Sequence, residues 1–228
     1  MSAAQRPSEF IMAGSDDVVA AILIHPFLKG LSDGSLPETT FAHYLVQDRA
    51  YIESYARSLE ILATKAPTLQ IGAMLIEHAQ GAIAAESLLH NALLARLGME
   101  SDPADDQAGP TTVAYTSHLL ATCALEPFTT GLISIFPCYW IYGEVARQLP
   151  KAESTHPVYQ MWLDNYAGDT YNVAVDEVRA VIDEYCGDEA LLPYLRDVYS
   201  IGAQFEWMFW DAAHRRELWP RETNFSAV

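Results

Sequence analysis

Apolar residues recur at intervals of three and four along almost the whole chain, and no stretch alternates strictly between turn residues. That pattern predicts helices throughout and no strands. A first helix is expected over 17–29, followed by a loop over 30–37 that is rich in turn formers. Pro37 suits a first helical position and Glu38 lies near the positive end of the dipole, so a second helix is predicted over 37–65, closed by Pro67. A third is predicted over 68–96 and stops at Gly98. The segment 99–110, with Asp102, Pro103, Asp105, Asp106 and Gly109, is the most loop-like of the chain. Further helices are expected over 111–124, 127–148, 157–166, 170–185 and 189–218, and residues 1–15 and 220–228 are read as loose. Without internal repeats, low-complexity tracts or a dividing linker, the expected organisation is one all-α domain over 1–228.

Composition supports this picture and narrows the partners. A chain of 228 residues, 50% hydrophobic and 19% charged, can bury a substantial core. Its net charge of -17, with 13 basic residues scattered rather than massed, would repel a phosphate backbone, so no nucleic-acid partner is expected. The richest apolar run, 131–143, falls short of the ~20 residues that a bilayer demands, and no membrane span or secretion signal is expected. Cys123, Cys138 and Cys186 form no even framework and no close pair, which fits thiols in a reducing compartment and a cytoplasmic location.

Chemistry concentrates in three helices. Pro137 sits inside a helical pattern and is predicted to open or kink it one turn back, near Ile133. Cys138 follows directly. A thiol beside such a distortion gains nucleophilicity if it acquires thiolate character, whereas the alternative is a small buried hydrophobe. Tyr142 shares its face at i+4. On the second helix Tyr44, Gln47, Asp48, Tyr51 and Tyr55 make one face oddly polar, so Asp48 either lies at the edge in solvent or points into a hydrogen-bonded pocket. In the last helix Glu206 stands among Phe205, Trp207, Phe209 and Trp210. Desolvation there would raise its pKa and poise it as a proton donor, unless it rides the exposed edge. Tyr115 and Tyr166 are further candidates. Glu86 and His90, at i and i+4 and with Glu77 and His78 nearby, are residue types used by iron-carboxylate proteins, but the set is not repeated on other helices; they read as a surface or interhelical pair, and no metal site is assigned.

Taken together, Gln47-Asp48-x-x-Tyr51, Pro137-Cys138-x-x-x-Tyr142, Tyr166 after Trp162, and Glu206-x-x-Phe209 resemble the TenA family, the thiaminase II enzymes, over nearly the whole chain. The stretch Gly34-Ser-Leu-Pro-x-x-x-Phe41-x-x-Tyr44-Leu45 is similar as well. The resemblance implies a haem-oxygenase-like helical bundle without haem or other cofactor, assembled as a homotetramer, that hydrolyses aminopyrimidines from thiamin breakdown and cleaves thiamin. It implies that Cys138 is the nucleophile and Glu206 the acid and base. Asp48 would bind the amino and ring-nitrogen edge, Tyr142 and Tyr166 would position the ring, and Tyr51, Tyr115 and Phe209 would supply flat surfaces. Cys138 places the chain with the cysteine-bearing branch. Two other readings stay open: an iron-dependent oxidase on the same scaffold that relies on Glu86 and His90, and a non-catalytic pyrimidine-binding or regulatory protein.

Overall fold

The computed structural model describes residues 5–98, 107–149 and 156–220, apart from the side chains of residues 85–91 and 94. All regular structure among them is helical. The helices are α1 Pro7–Met12, α2 Asp16–Leu23, α3 Pro26–Asp33, α4 Glu38–Ala63, α5 Leu69–Leu97, α6 Pro110–Leu125, α7 Phe128–Gln148, α8 Pro157–Tyr166, α9 Asp169–Tyr185 and α10 Leu192–Arg215, with a 3₁₀ turn at Ala13–Ser15.

Proline sets most of the starts. Pro26, Pro110 and Pro157 stand in the first turns of α3, α6 and α8, where an amide would lack a partner anyway. Pro26 also corrects the expected helix over 17–29, which is two helices. Pro26 has no N–H to continue α2, and His25 caps the new start, its Nδ1 accepting from the Phe27 amide at 3.2 Å. Gly34, at φ 81°, ends α3 in the left-handed region that glycine enters without strain. The expectation that residues 1–15 are loose fails for 7–15. Ile11 is fully buried against the core, the Ser8 amide donates to Asp183 Oδ1 at 2.9 Å, and Ser15 Oγ meets Ser200 Oγ at 3.1 Å. Tertiary burial, not local pattern, orders this segment. Most of the loop over 99–110 and most of the tail over 220–228 lie outside the described residues.

Pro137 does not break α7, which runs through it. Its ring is accommodated by Gly202 of α10, where a Cβ would stand 2.6 Å from Pro137 Cγ. The backbone around it takes side-chain partners: Ser134 Oγ donates to Gly131 O at 2.8 Å, and Tyr55 Oη donates to Ile135 O at 3.2 Å. The buried apolar residues form one continuous cluster. At its centre Trp210 of α10 stacks on Tyr44 of α4, centroids 5.4 Å apart and planes 11° apart. Trp162 of α8 closes on both. Large aromatics in close contact bury the most apolar area per residue and hold α4, α8 and α10 at fixed separations. Among the described residues no single helix is long and apolar enough to cross a membrane.

Candidate active site

Four long helices bring the chemistry together. On α4 the spacing 48, 51, 55 aligns Asp48, Tyr51 and Tyr55 on the inward face. Asp48 is 1% exposed, so the polar face of this helix is an interior feature and not a solvated edge. Across from it α10 presents Glu206, also 1% exposed, with Phe209 one turn on. From α6, Tyr115 Oη donates to Glu206 Oε1 at 2.6 Å. From α7 come Cys138 and Tyr142, both buried, and Tyr166 of α8 packs on Tyr142 at 4.9 Å between centroids. Tyr51 lies between Tyr115 at 5.0 Å and Phe209 at 5.5 Å. Tyr142 Oη meets Tyr44 Oη at 3.4 Å. All eight sequence-predicted residues thus line one buried region.

The electrostatics of that region separate the acid from the thiol. Burial pushes the Glu206 carboxyl up to about 8, the charge of Asp48 adds to the effect, and the hydrogen bond from Tyr115 only partly opposes it. At neutral pH Glu206 therefore carries a proton. Burial also pushes the Cys138 thiol well above its ordinary range, reinforced by Glu206 and Asp48 and opposed by the Tyr51 and Tyr55 hydroxyls. Of the two alternatives for this thiol, the surroundings favour the neutral, buried form over the thiolate. Tyr51 Oη is buried beside this thiol and beside Tyr115, yet completes no well-formed hydrogen bond of its own among the described residues.

Sequence reasoning missed several supporting groups. Gln47, named for the polar face and the motif but given no role, accepts from the Gly109 amide at 2.8 Å and from Thr112 Oγ1 at 2.7 Å, and donates to Gln107 O at 3.2 Å. It anchors the start of α6 and with it Tyr115. Tyr171 of α9 donates to the carbonyls of Cys138 and Tyr139, at 3.1 and 3.2 Å. His78 of α5 bridges Tyr139 and Glu177. The sequence showed it only as a neighbour of the Glu86 and His90 pair and gave no sign of these partners. Among the described residues no three His, Cys, Asp or Glu side chains are grouped to hold a metal ion. The side chains of Glu86 and His90 lie outside the described residues.

Comparison with known proteins agrees with the geometry. The aminopyrimidine aminohydrolase of Bacillus subtilis (strain 168) is 32% identical over 199 residues, covering 86% of this chain and 84% of that protein. A TenA homologue from P. horikoshii OT3 superposes with a TM-score of 0.85 at 27% identity, over 92% of this chain and 99% of that one. A Shewanella denitrificans OS217 domain of unknown function with a heme oxygenase-like fold gives a TM-score of 0.73 at 14% identity, over 99% and 97%, which establishes the fold. The profile described as TENA/THI-4/PQQC family matches residues 15–216, so the chain belongs to that family.

Proposed function

We propose that this protein is an aminopyrimidine aminohydrolase of thiamin metabolism, acting on 4-amino-5-aminomethyl-2-methylpyrimidine with thiamin as a second substrate. The observation that carries the reading is the pairing, within one aromatic-walled interior, of a neutral thiol at Cys138 with a proton-bearing carboxyl at Glu206. Hydrolysis at an exocyclic methylene needs both parts. A nucleophile must add to an electron-poor ring carbon and break the aromaticity, and an acid must protonate the departing amine. Cys138 Sγ forms the first bond. The methylene then expels its amine as Glu206 gives up its proton; from thiamin the cationic thiazolium departs as neutral thiazole and takes none, so the proton of the entering water is released instead. Water adds to the methylene and returns a proton to Glu206, and the sulfur leaves to restore the ring.

Asp48, buried, binds the amino and ring-nitrogen edge of the pyrimidine. Tyr51, Tyr115 and Phe209 offer flat faces to an electron-poor ring, and Tyr142 and Tyr166 fix its rotation. With its unbonded hydroxyl beside the thiol, Tyr51 has a donor to spare for developing negative charge on sulfur. A cytoplasmic homotetramer in thiamin salvage goes with this reading, and size-exclusion chromatography with light scattering checks the assembly.

The test is to incubate the protein and its Cys138→Ser variant with the aminomethylpyrimidine and with thiamin, following hydroxymethylpyrimidine by mass spectrometry. Turnover by the protein is expected, with a loss of at least about 1,000-fold in the variant, since a serine hydroxyl is a far weaker nucleophile. Equal turnover by both would remove Cys138 from the mechanism.

A further inference from the structure

A neutral buried thiol must lose its proton before sulfur can attack, and the groups already assigned do not take it. Glu206 holds a proton that the leaving amine requires, and Asp48 is engaged by the pyrimidine. On the other side of Cys138 lies a line of titratable groups that the proposed reaction has not used. Glu177 of α9, half exposed, has Oε2 3.0 Å from Nε2 of His78, which is itself largely buried. His78 Nδ1 is 3.0 Å from Tyr139 Oη. The Tyr139 ring meets the Tyr55 ring edge-on, centroids 5.8 Å apart, and the Tyr55 hydroxyl, which donates to Ile135 O at 3.2 Å, interacts with both the Tyr139 hydroxyl and the Cys138 thiol.

The bonding at His78 has a direction. In the tautomer the relay uses, the His78 proton sits on Nε2 and is donated to Glu177, and Nδ1 accepts from the Tyr139 hydroxyl. Tyr139, donating to His78, keeps oxygen lone pairs that can accept from Tyr55. We propose that Tyr55, Tyr139, His78 and Glu177 form a proton relay that carries the Cys138 thiol proton toward the protein surface during nucleophilic attack. The inference rests on the reading of Cys138 as the nucleophile.

The step balances. The thiol proton passes to Tyr55 Oη as Tyr55, turned from Ile135 O, gives its own proton to Tyr139 Oη, and Tyr139 gives its proton to His78 Nδ1. The products are a thiolate and an imidazolium, the latter paired with Glu177. No other reactant is consumed, and the proton returns by the same path when sulfur leaves the ring. Tyr55 touches the reacting sulfur; Tyr139, His78 and Glu177 act through it and are positioning residues. Tyr171, bonded to the carbonyls of Cys138 and Tyr139, holds the turn that aligns the line.

The experiment compares the full-length protein with Tyr139→Phe, His78→Gln and Cys138→Ser, reading kcat and KM on the aminomethylpyrimidine and the rate at which iodoacetamide alkylates Cys138, followed on its tryptic peptide. Tyr139→Phe removes one oxygen, and His78→Gln keeps a hydrogen-bonding group that cannot take up a proton, so both leave α5 and α7 packed. Each is expected to lower kcat by about 100-fold, the scale of lost proton-transfer catalysis. KM should stay within about twofold, because substrate contacts are intact, and alkylation of Cys138 should slow in parallel. His78→Gln turning over and alkylating like the unaltered protein would show that a hydrogen-bonding scaffold suffices, and would overturn the relay while Cys138→Ser, inactive, left the nucleophile in place. Full activity in Cys138→Ser would overturn both, since there would be no thiol proton to carry.

Discussion

Glu206 meets two opposing demands. In the proposed reaction it protonates the departing amine, so at neutral pH it must hold a proton, and the surroundings favour this by withholding water from it and by setting Asp48 nearby. The same arrangement has a cost in stability that can be measured. Its folded pKa lies above the value of an exposed glutamate, so between about 4.5 and 8 the folded state binds more protons at this position than the unfolded state. Its contribution is therefore fully present below pH 4.5 and is lost as pH rises through about 8. Glu206→Gln keeps an oxygen to accept from Tyr115 and removes the ionisation. The variant should equal the unaltered protein in urea denaturation at pH 5 and exceed it at pH 9 by at least about 1.4 kcal/mol, the worth of one pKa unit. A constant difference across that range would mean that Glu206 is not the group being titrated. In catalysis kcat/KM should decline above about pH 8, where the acid is spent.

The aromatic setting of Glu206 is plain in the sequence, because Phe205, Trp207, Phe209 and Trp210 are its neighbours there. The desolvation was legible for that reason. Tyr115 as its hydrogen-bond donor was not, because a helical tyrosine 91 positions away declares neither its face nor its partner. The same holds for His78. Sequence places it beside Glu77 and one helix face away from Glu86 and His90, but its actual partners come from two other helices, α7 and α9.

Helix by helix, the pattern of three and four located α4 to α10 to within a few residues, because long amphipathic helices are specified by the burial of one face. It misjudged the first 33 residues, where short helices are held by contacts with distant residues such as Asp183 and Ser200. The crossing of α7 and α10 shows what local pattern omits. Pro137 announces a distortion in α7, but the partner that makes room for it, Gly202, is an ordinary glycine inside an otherwise good helix. Alanine there would improve helix propensity by roughly 1 kcal/mol if the site were open. It is not open: the new Cβ would stand 2.6 Å from Pro137 Cγ and 3.4 Å from Ser134 O, and a proline ring has no rotamer into which to retreat. Gly202→Ala should thus destabilise by about 1–3 kcal/mol, the usual range for overpacking. It should also lower kcat, because Pro137 adjoins Cys138 and any retreat of α7 moves the sulfur relative to Glu206 on α10. Urea midpoints and steady-state kinetics on one preparation check both effects. A variant as stable as the unaltered protein would mean that α7 and α10 can separate freely.

At the scale of the molecule the net charge of -17 acts on folding and on substrate in opposite senses. Arg6 and Arg179 reach Glu9, Arg147 pairs with Glu144, and Arg215 pairs with Asp211 and Glu217. These cations offset the acids next to them, and such exposed pairs add little individually. The surplus of acid still repels itself more in the compact state than in the unfolded chain. Raising sodium chloride from about 10 to about 150 mM shortens the screening length from about 30 to about 8 Å, so it should raise the melting temperature by roughly a few degrees. For the proposed aminomethylpyrimidine, a cation in solution that gives up its amine proton on entering the site, the same field concentrates substrate near the protein. The same salt increase should therefore lower kcat/KM for this cation by about two- to tenfold, while the affinity for neutral hydroxymethylpyrimidine stays level. If affinity for the neutral product fell as steeply as kcat/KM, salt would be acting on the structure of the site. If kcat/KM held constant while the melting temperature rose, the acidic surface would be acting on the folded state alone, and recognition of the substrate would belong entirely to the buried site.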